Sequence, residues 1–367
     1  MTTVVNVDPA KPNQADITRA ADCLRRGGLV AFPTDTVYGL GVHAMDRAAV
    51  LRLFHSKGRP ANDPLIVHLA SFGEVPPLVA QFPDSAKRLA SAFWPGPLTL
   101  VLHRSPSVPS EVTAGLETVA IRVPAHPVAH ALLSAVSLPI AAPSANMFSR
   151  PSPTLATHVL DDLDGRIDMV LDGGPTPVGI ESTVVDMTTD PPVVLRPGAI
   201  SLKTLRTVMP AVQPRIAPAP ASNHKPMPSP GLLSKHYAPK APLSIYRGKP
   251  TAVRALLKDK ALSAMARGQR VGILASSEDA LLLSDLRAVS NQSSGGGPPA
   301  VFITLASETD AAATAARLYA AFRELDTARV DIILARDISH DHGLWEAIRD
   351  RLHRAAASVI LVGPETR

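Results

Sequence analysis

Short apolar runs ending in proline, glycine or a small polar residue recur through the first 200 residues, at 29–32, 65–69, 98–102, 119–123, 139–142, 169–171, 183–186 and 193–195. Runs this short, bounded by chain breakers, predict strands. Between them, Ile17, Ala21 and Leu24 stand at helical spacing and predict a helix over 16–26, closed by Gly27 and Gly28. Further helices are expected over 46–55 and 155–160, the latter with Ser152 or Thr154 as its N-cap. Strands outnumber helices, so the expected architecture is α/β with a twisted, mixed open sheet. Beyond residue 240 strand runs at 243–246, 271–274, 301–305, 330–334 and 358–362 alternate with helical patterns. That rhythm predicts a smaller, doubly wound, Rossmann-like α/β domain. Its first strand is not followed by G-x-G-x-x-G, which argues against a dinucleotide site. Residues 210–230 hold seven prolines and no apolar period, the mark of a semi-rigid linker. The reading is a catalytic domain over 1–210, a Pro-rich linker or lid over 211–240, and a C-terminal α/β domain over 241–367.

Composition changes this picture little and excludes a good deal. With 46% hydrophobic and 19% charged residues in 367, the chain is globular and long enough for about two domains. Proline is abundant at 36, and Pro33, Pro124, Pro143 and Pro197 all sit near strand ends, where they stiffen loops. The single cysteine, Cys23, excludes an intrachain disulfide, and no Cys/His spacing suggests zinc. The N-terminal stretch lacks the pattern of an export signal and no apolar run is long enough to span a bilayer, so the expectation is a soluble protein of the reducing cytoplasm with no membrane partner. Net charge is +5, but residues 1–210 carry 17 Lys and Arg against 18 Asp and Glu. The first domain is therefore not a basic nucleic-acid platform, and the mildly basic remainder permits weak RNA contact at most.

Candidate chemistry gathers at strand ends. FPTDTVYGLG, residues 32–41, leaves its strand at Pro33 and continues as a loop of Thr34, Asp35, Thr36, Tyr38 and two glycines. HSKGRPANDPLIVH, residues 55–68, sets Lys57 and Arg59 around Gly58 after a helix, either as a solvated basic turn or as a seat for a polyanion, with His68 at the next strand's end. In TVAIRVPAHP, Arg122 interrupts an apolar run and faces either solvent or a site, where it could pair with a carboxylate. APSANMFSRPSPT braces Ser144, Asn146, Ser149, Ser152 and Thr154 with prolines. DGGPTPVGIESTVVD brings Glu181, Ser182 and Thr183 to a strand start, and VVLRPGAI places Arg196 before a Pro-Gly turn. Five strand ends in one domain carry small polar residues or a lone cation, a recurrence unlike passive turns.

PTDTVYGLG, K-G-R-P with PLIVH, FWPGPLTLVL, RVPAHP, APSAN, DGG with ESTVVD, and LRPG occur in the order of YrdC-like proteins, and the chain resembles the threonylcarbamoyl-AMP synthases among them. SPGLLSKHYAP, residues 229–239, and the C-terminal domain are similar to the long two-domain form. The resemblance implies a YrdC-like first domain and a nucleotidyltransferase reaction of L-threonine, bicarbonate (as CO2) and ATP, giving threonylcarbamoyl-AMP and pyrophosphate for N6-threonylcarbamoyladenosine formation in tRNA beside the anticodon. It implies Thr36, His68, Arg122, Ala142 and Ser182 as the threonine pocket, and Lys57, Arg59, Asp63, Thr118, Ser144, Asn146, Ser152, Arg196 and Tyr237 as ATP contacts, with Lys57 and Arg59 catalytic. No resident metal is implied; Mg2+ is expected on the ATP phosphates. The downstream partner would be a tRNA-modifying threonylcarbamoyl transferase, with tRNA contact weak or indirect. Two stretches depart from the family pattern: Met147-Phe148-Ser149 follows Asn146 where members often have x-S-G, and the closing helix carries Trp345 and Asp350 in place of a smaller residue and an asparagine. Two rival functions are a carbamoyl-adenylate-forming carbamoyltransferase, whose Cys-rich zinc segments one cysteine cannot supply, and an RNA-binding or ribosome-assembly module, against which the first domain's charge speaks.

Overall fold

The computed structural model describes residues 1–215, 227, 236–286 and 300–363. By compactness the chain divides into two units, residues 1–148 with 152–234, and 149–151 with 235–367. Most of the expected linker, 216–226 and 228–235, lies outside the described residues.

The first unit is built on an eleven-stranded mixed sheet in the order β1-β8-β2-β3-β7-β4-β6-β5-β9-β10-β11. In chain order these are β1 (Thr3–Asn6), β2 (Val30–Pro33), β3 (Tyr38–His43), β4 (Ile66–His68), β5 (Leu98–His103), β6 (Thr118–Arg122), β7 (Ile140–Ala141), β8 (Met169–Asp172), β9 (Thr183–Asp186), β10 (Val193–Arg196) and β11 (Gln213–Pro214). Both faces are covered. Along β2, Val30 and Phe32 turn to a core shared with α1 (Gln14–Arg25) and α5 (Pro127–Val136). Ala31 turns to a core built with α2 (Arg47–Lys57), α3 (Asp84–Phe93) and α6 (Ala156–Leu163). Burial on both sides is why the strands read as continuous apolar runs rather than as alternations.

Three expectations change. The loop after Pro33 is only four residues long, because Tyr38–His43 returns as β3, antiparallel to β2. Two glycines hid that strand, and packing explains one of them: a Cβ on Gly41 would lie 2.8 Å from Phe32 and 3.0 Å from Ile140. The second helix runs two residues further than expected, capped by Asp46, whose carboxylate accepts from Ala49 N, and closed by Gly58 at φ 60. Lys57 is thus a buried helix residue and not part of a loop. The helix expected at 155 begins at Ala156 with no side-chain cap, since Ser152 is bonded elsewhere. The edge strand β1, mostly exposed, has no counterpart in the sequence reading.

The second unit carries a five-stranded, wholly parallel sheet, β12 (Leu243–Gly248), β13 (Val271–Ala275), β14 (Val301–Thr304), β15 (Ile332–Arg336) and β16 (Ser358–Val362), in the order β14-β13-β15-β12-β16. The helices α8 (Pro250–Ala266), α9 (Ser277–Leu282), α10 (Ala311–Thr327) and α11 (Leu344–Ala355) follow the strands in turn. In the first unit, Ser110–Thr113 forms α4 and Leu202–Val208 forms α7. The chain moves in one direction across the sheet through α8 and α9 and returns through α10 and α11; right-handed crossovers then place the two pairs on opposite faces, the doubly wound arrangement.

In the LRPG turn, a Cβ on Gly198 would meet Thr183 N at 2.3 Å, Ser182 C at 2.6 Å and Glu181 O at 2.8 Å, all backbone atoms. Gly198→Ala is therefore expected to destabilise the first unit by about 1–3 kcal/mol through overpacking. Urea unfolding checks this, and an unchanged midpoint would contradict it.

Candidate active site

The loop 34–37 is ordered from within. Thr34 Oγ1 accepts from the N–H groups of Thr36 (3.1 Å) and Val37 (3.3 Å) and donates to Val37 O (2.7 Å). Its proton being used, the 2.9 Å contact with Thr36 Oγ1 has Thr36 as donor. From outside, Val178 N and Gly179 N donate to Asp35 O and Thr36 O, so the glycine-rich loop after β8 holds this one in place.

Arg122 ends β6 and points to the site face, buried. All three guanidinium nitrogens are engaged: Nε with Gly96 O (3.1 Å), Nη1 with Thr36 Oγ1 (2.7 Å) and Nη2 with Asp35 Oδ1 (2.5 Å). The lone cation of the sequence reading is half of a buried ion pair. Asp35 Oδ1 also accepts from Ala125 N (3.1 Å), while Oδ2 is buried with no hydrogen-bond partner. Parallel pairing of β4 with β6 sets His68 opposite Arg122. His68 Nδ1 lies 3.1 Å from Ile66 O, which only accepts, so Nδ1 carries the proton and Nε2 is left as an acceptor. Ile66 O also takes the Ala142 N–H (2.9 Å), tying that backbone to the same point. Burial, reinforced by the Arg122 charge, pushes the His68 imidazole down to about 3.

A second group of cations is held by backbone carbonyls. Lys57 Nζ donates to Ser144 O (2.6 Å) and Asn146 O, and burial with the nearby Arg59 charge drives its ammonium well below the ordinary lysine range. Arg59 donates to Asp63 O (3.1 Å) and Pro64 O (2.8 Å) and pairs with the Asp63 carboxylate at 2.9 Å. Burial raises the Asp63 pKa, against the opposing pull of Arg59, Lys57 and Arg196. Arg196, at the end of β10, donates to Ser182 O and Ser182 Oγ, both at 3.1 Å, and Ser182 Oγ lies 2.7 Å from Thr99 Oγ1. Ser152 donates to Glu181 (2.6 Å).

Thr36, His68, Arg122, Ala142 and Ser182 thus converge with Lys57, Arg59, Asp63, Ser144, Asn146 and Arg196 in the first unit. Thr118 begins β6 on the same face as Arg122, four residues or roughly 13 Å along the strand. Tyr237 belongs to the second unit, at φ 63, buried, with its ring 5.5 Å from that of Tyr319 and under the Arg351 guanidinium. The departure at Met147-Phe148 is accommodated by a bond from Phe148 N to Lys57 O (2.9 Å). Asp350 is ion-paired with Arg351 (2.6 Å) and Arg354 (3.0 Å). Sequence reasoning assigned no role to Asp35 or Thr99. Thr99 carried the same signal as Arg122, a polar residue inside an apolar strand.

A mixed α/β domain that gathers buried Lys57, Arg59, Arg122 and Arg196 beside the hydroxyls of Thr36 and Ser182 is of the YrdC-like class of protein. Compared with known proteins, residues 22–198 match the family model described as Telomere recombination, which spans Sua5, YciO and YrdC, and residues 200–357 match the threonylcarbamoyl-AMP synthase C-terminal domain. The chain belongs to the threonylcarbamoyl-AMP synthase family. It is 40% identical over 362 residues to the Pyrococcus abyssi threonylcarbamoyl-AMP synthase, covering 98% of this chain and 99% of that one. It is 42% identical to the Bacillus subtilis enzyme, with 96% of each covered. The solved structure of P. abyssi Sua5 complexed with L-threonine is 39% identical and covers 99% of this chain and 100% of its own, with a TM-score of 0.88.

Two outcomes follow from this geometry. Removing Arg122 alone strands a buried carboxylate, so Arg122→Ala should cost about 3–5 kcal/mol. Adding Asp35→Ala should then cost less than the two single losses summed. Urea unfolding of the four proteins measures the coupling, and additivity within about 0.5 kcal/mol would deny the pair. His68, with its folded pKa depressed from an unfolded value near 6.5, contributes stability that is fully present above about pH 6.5 and is lost as pH falls toward about 3. His68→Gln should therefore lose stability less steeply than the parent between those limits, and parallel melting curves against pH would refute the assignment.

Proposed function

We propose that this chain joins L-threonine, CO2 supplied as bicarbonate, and ATP into threonylcarbamoyl-AMP, releasing pyrophosphate, and that the product serves N6-threonylcarbamoyladenosine formation in tRNA. What supports this most directly is the fixed pair of Arg122 with Asp35 and Thr36 beside a second, carbonyl-held cation group at Lys57, Arg59 and Arg196. One end of such a pocket suits an amino-acid carboxylate and the other a triphosphate.

The chemistry needs no protein nucleophile. The threonine amine, once deprotonated, adds to CO2 and gives a carbamate. A carbamate oxygen then attacks the α-phosphorus of ATP in line, and pyrophosphate departs with the electron pair of the broken P–O bond. Thr36, Arg122 and Ser182 orient threonine, with the carboxylate toward the guanidinium, while neutral His68 offers Nε2 as an acceptor to its amine or hydroxyl. Lys57, Arg59 and Arg196, already oriented by carbonyls, meet the negative charge that spreads over the phosphates, which is where preorganised donors act most strongly. Asp63, Thr118, Ser144, Asn146, Ser152 and Tyr237 complete the proposed ATP contacts.

Among the described residues no group of three or more His, Cys, Asp or Glu could hold a metal ion. In this reading Mg2+ arrives on the triphosphate as part of the substrate, and no step above is routed through it. A tRNA-modifying threonylcarbamoyl transferase consumes the product, any tRNA contact of this chain being weak or indirect. That role places the protein in the cytoplasm. Among the described residues no helix is long and apolar enough to cross a membrane.

Pyrophosphate release from ATP should depend on both L-threonine and bicarbonate, and Lys57→Ala or Arg59→Ala should lower the turnover of the folded fraction by about 100-fold or more, beyond any loss of stability. A coupled pyrophosphate assay with thermal melts alongside tests this. Release that proceeds equally well without threonine would reject the function, and activity lost only in step with unfolding would return Lys57 and Arg59 to a structural role.

A further inference from the structure

Thr99 stands in line with three residues of the proposed threonine pocket. The strands β4, β6, β5 and β9 are neighbours in the first sheet, in that order. On one face they carry Ile66, Ala120, Val101 and Val184, which pack together as an apolar cluster. Side chains two residues apart on a strand share a face. One such step leads from these four to His68, Arg122, Thr99 and Ser182, so the apolar cluster gives way to a row of polar side chains. His68 pairs directly with Arg122, and the antiparallel register of β5 with β6, Leu100 opposite Ile121, brings Thr99 level with Arg122. On the other side, Thr99 Oγ1 meets Ser182 Oγ at 2.7 Å.

Hydrogen-bond capacity decides what this hydroxyl does. Thr99 is wholly buried, and among the described residues Ser182 Oγ is the partner of its hydroxyl. Ser182 Oγ also accepts from Arg196 Nη2 (3.1 Å). A hydroxyl has one proton to donate and two acceptor sites. If Ser182 donates to Thr99, the Thr99 proton is stranded inside the sheet with no acceptor, which is unfavourable. If Thr99 donates to Ser182, both acceptor sites of Ser182 are filled, by Thr99 and by Arg196, and the proton left over is that of Ser182. A carboxylate offers acceptors alone, so it takes that proton. With such a ligand in place, both hydroxyl groups are fully satisfied.

We propose that Thr99 is a positioning residue for L-threonine: by donating to Ser182 it commits the Ser182 O–H to the substrate carboxylate. That proton joins the two guanidinium N–H groups of Arg122 that Gly96, Thr36 and Asp35 leave over. Thr99 acts through Ser182 and is not itself catalytic. A hydroxyl that accepts two hydrogen bonds is also a stronger donor, which favours the carboxylate further. The inference rests on the threonine-binding role proposed above for Arg122 and Ser182.

Steady-state pyrophosphate release by the full chain, with melting curves alongside, tests this. Thr99→Val removes the hydroxyl at nearly constant shape and is expected to raise the threonine KM about fivefold or more, with kcat and the ATP KM within about twofold of the parent. Thr99→Ser restores the hydroxyl and should bring the threonine KM back to within about twofold. In a Ser182→Ala background Thr99→Val should add less than about twofold, because the group it acts through is gone. Thr99→Ala carries the same expectations where valine disturbs the strand. An unchanged threonine KM in the folded Thr99→Val protein, a loss that Thr99→Ser does not repair, or an undiminished further loss in the Ser182→Ala background would each overturn the proposal. Pyrophosphate release that needs no threonine would overturn the function itself, and this proposal with it.

Discussion

Burying cations governs the first unit. Lys57, Arg59, Arg122 and Arg196 are all nearly inaccessible to solvent, and moving such groups out of water costs several kcal/mol each even after relaxation. The structure offsets that cost in a specific way. Asp35 and Asp63 each take one arginine, and backbone carbonyls of Gly96, Asp63, Pro64, Ser144, Asn146 and Ser182, with the hydroxyls of Thr36 and Ser182, take further donors. Carbonyls solvate a cation without cancelling its charge. A cation held this way keeps its charge for an anion that enters.

That requirement explains the unusual loops. A carbonyl can solvate a guanidinium only if its peptide stays put, and Pro60, Pro64, Pro97, Pro143 and Pro197 flank the segments that supply those carbonyls. Glycine serves the same end by allowing approach, as at Gly198, which lies against the Ser182 and Thr183 backbone that Arg196 binds. These five are a part of the 36 prolines that stand out in the composition.

The two units handle charge differently. In the second, Arg254 and Arg336 are paired with the carboxylates of Asp279 and Glu308 rather than with carbonyls. A parallel sheet creates a crevice wherever its winding reverses, and the side chains there decide what it admits. The same secondary-structure grammar thus yields carbonyl-held cations in one unit and carboxylate-paired arginines in the other.

The residues legible in advance were those whose local chemistry contradicts their surroundings. Arg122 inside an apolar strand, K-G-R after a helix and hydroxyls between prolines are visible in one dimension, as are strand runs buried on both faces and the β/α alternation of the second unit. The ordered motif set carried the family. What the sequence did not reveal depends on pairing between distant segments. Gly39 and Gly41 argue locally against a strand at β3, and only contact with Phe32 and Ile140 makes Gly41 the residue that fits. Asp35 stands 87 residues from Arg122, and nothing local distinguishes it from any acidic turn residue. The sequence pattern puts Lys57 in a loop after the helix, because helix length is settled by its cap and by packing. Sequence determines which side chains are available and the period of each element; the register of β4 against β6, and of one loop against another, decides which of them meet, because those energies exist only once the sheet has formed.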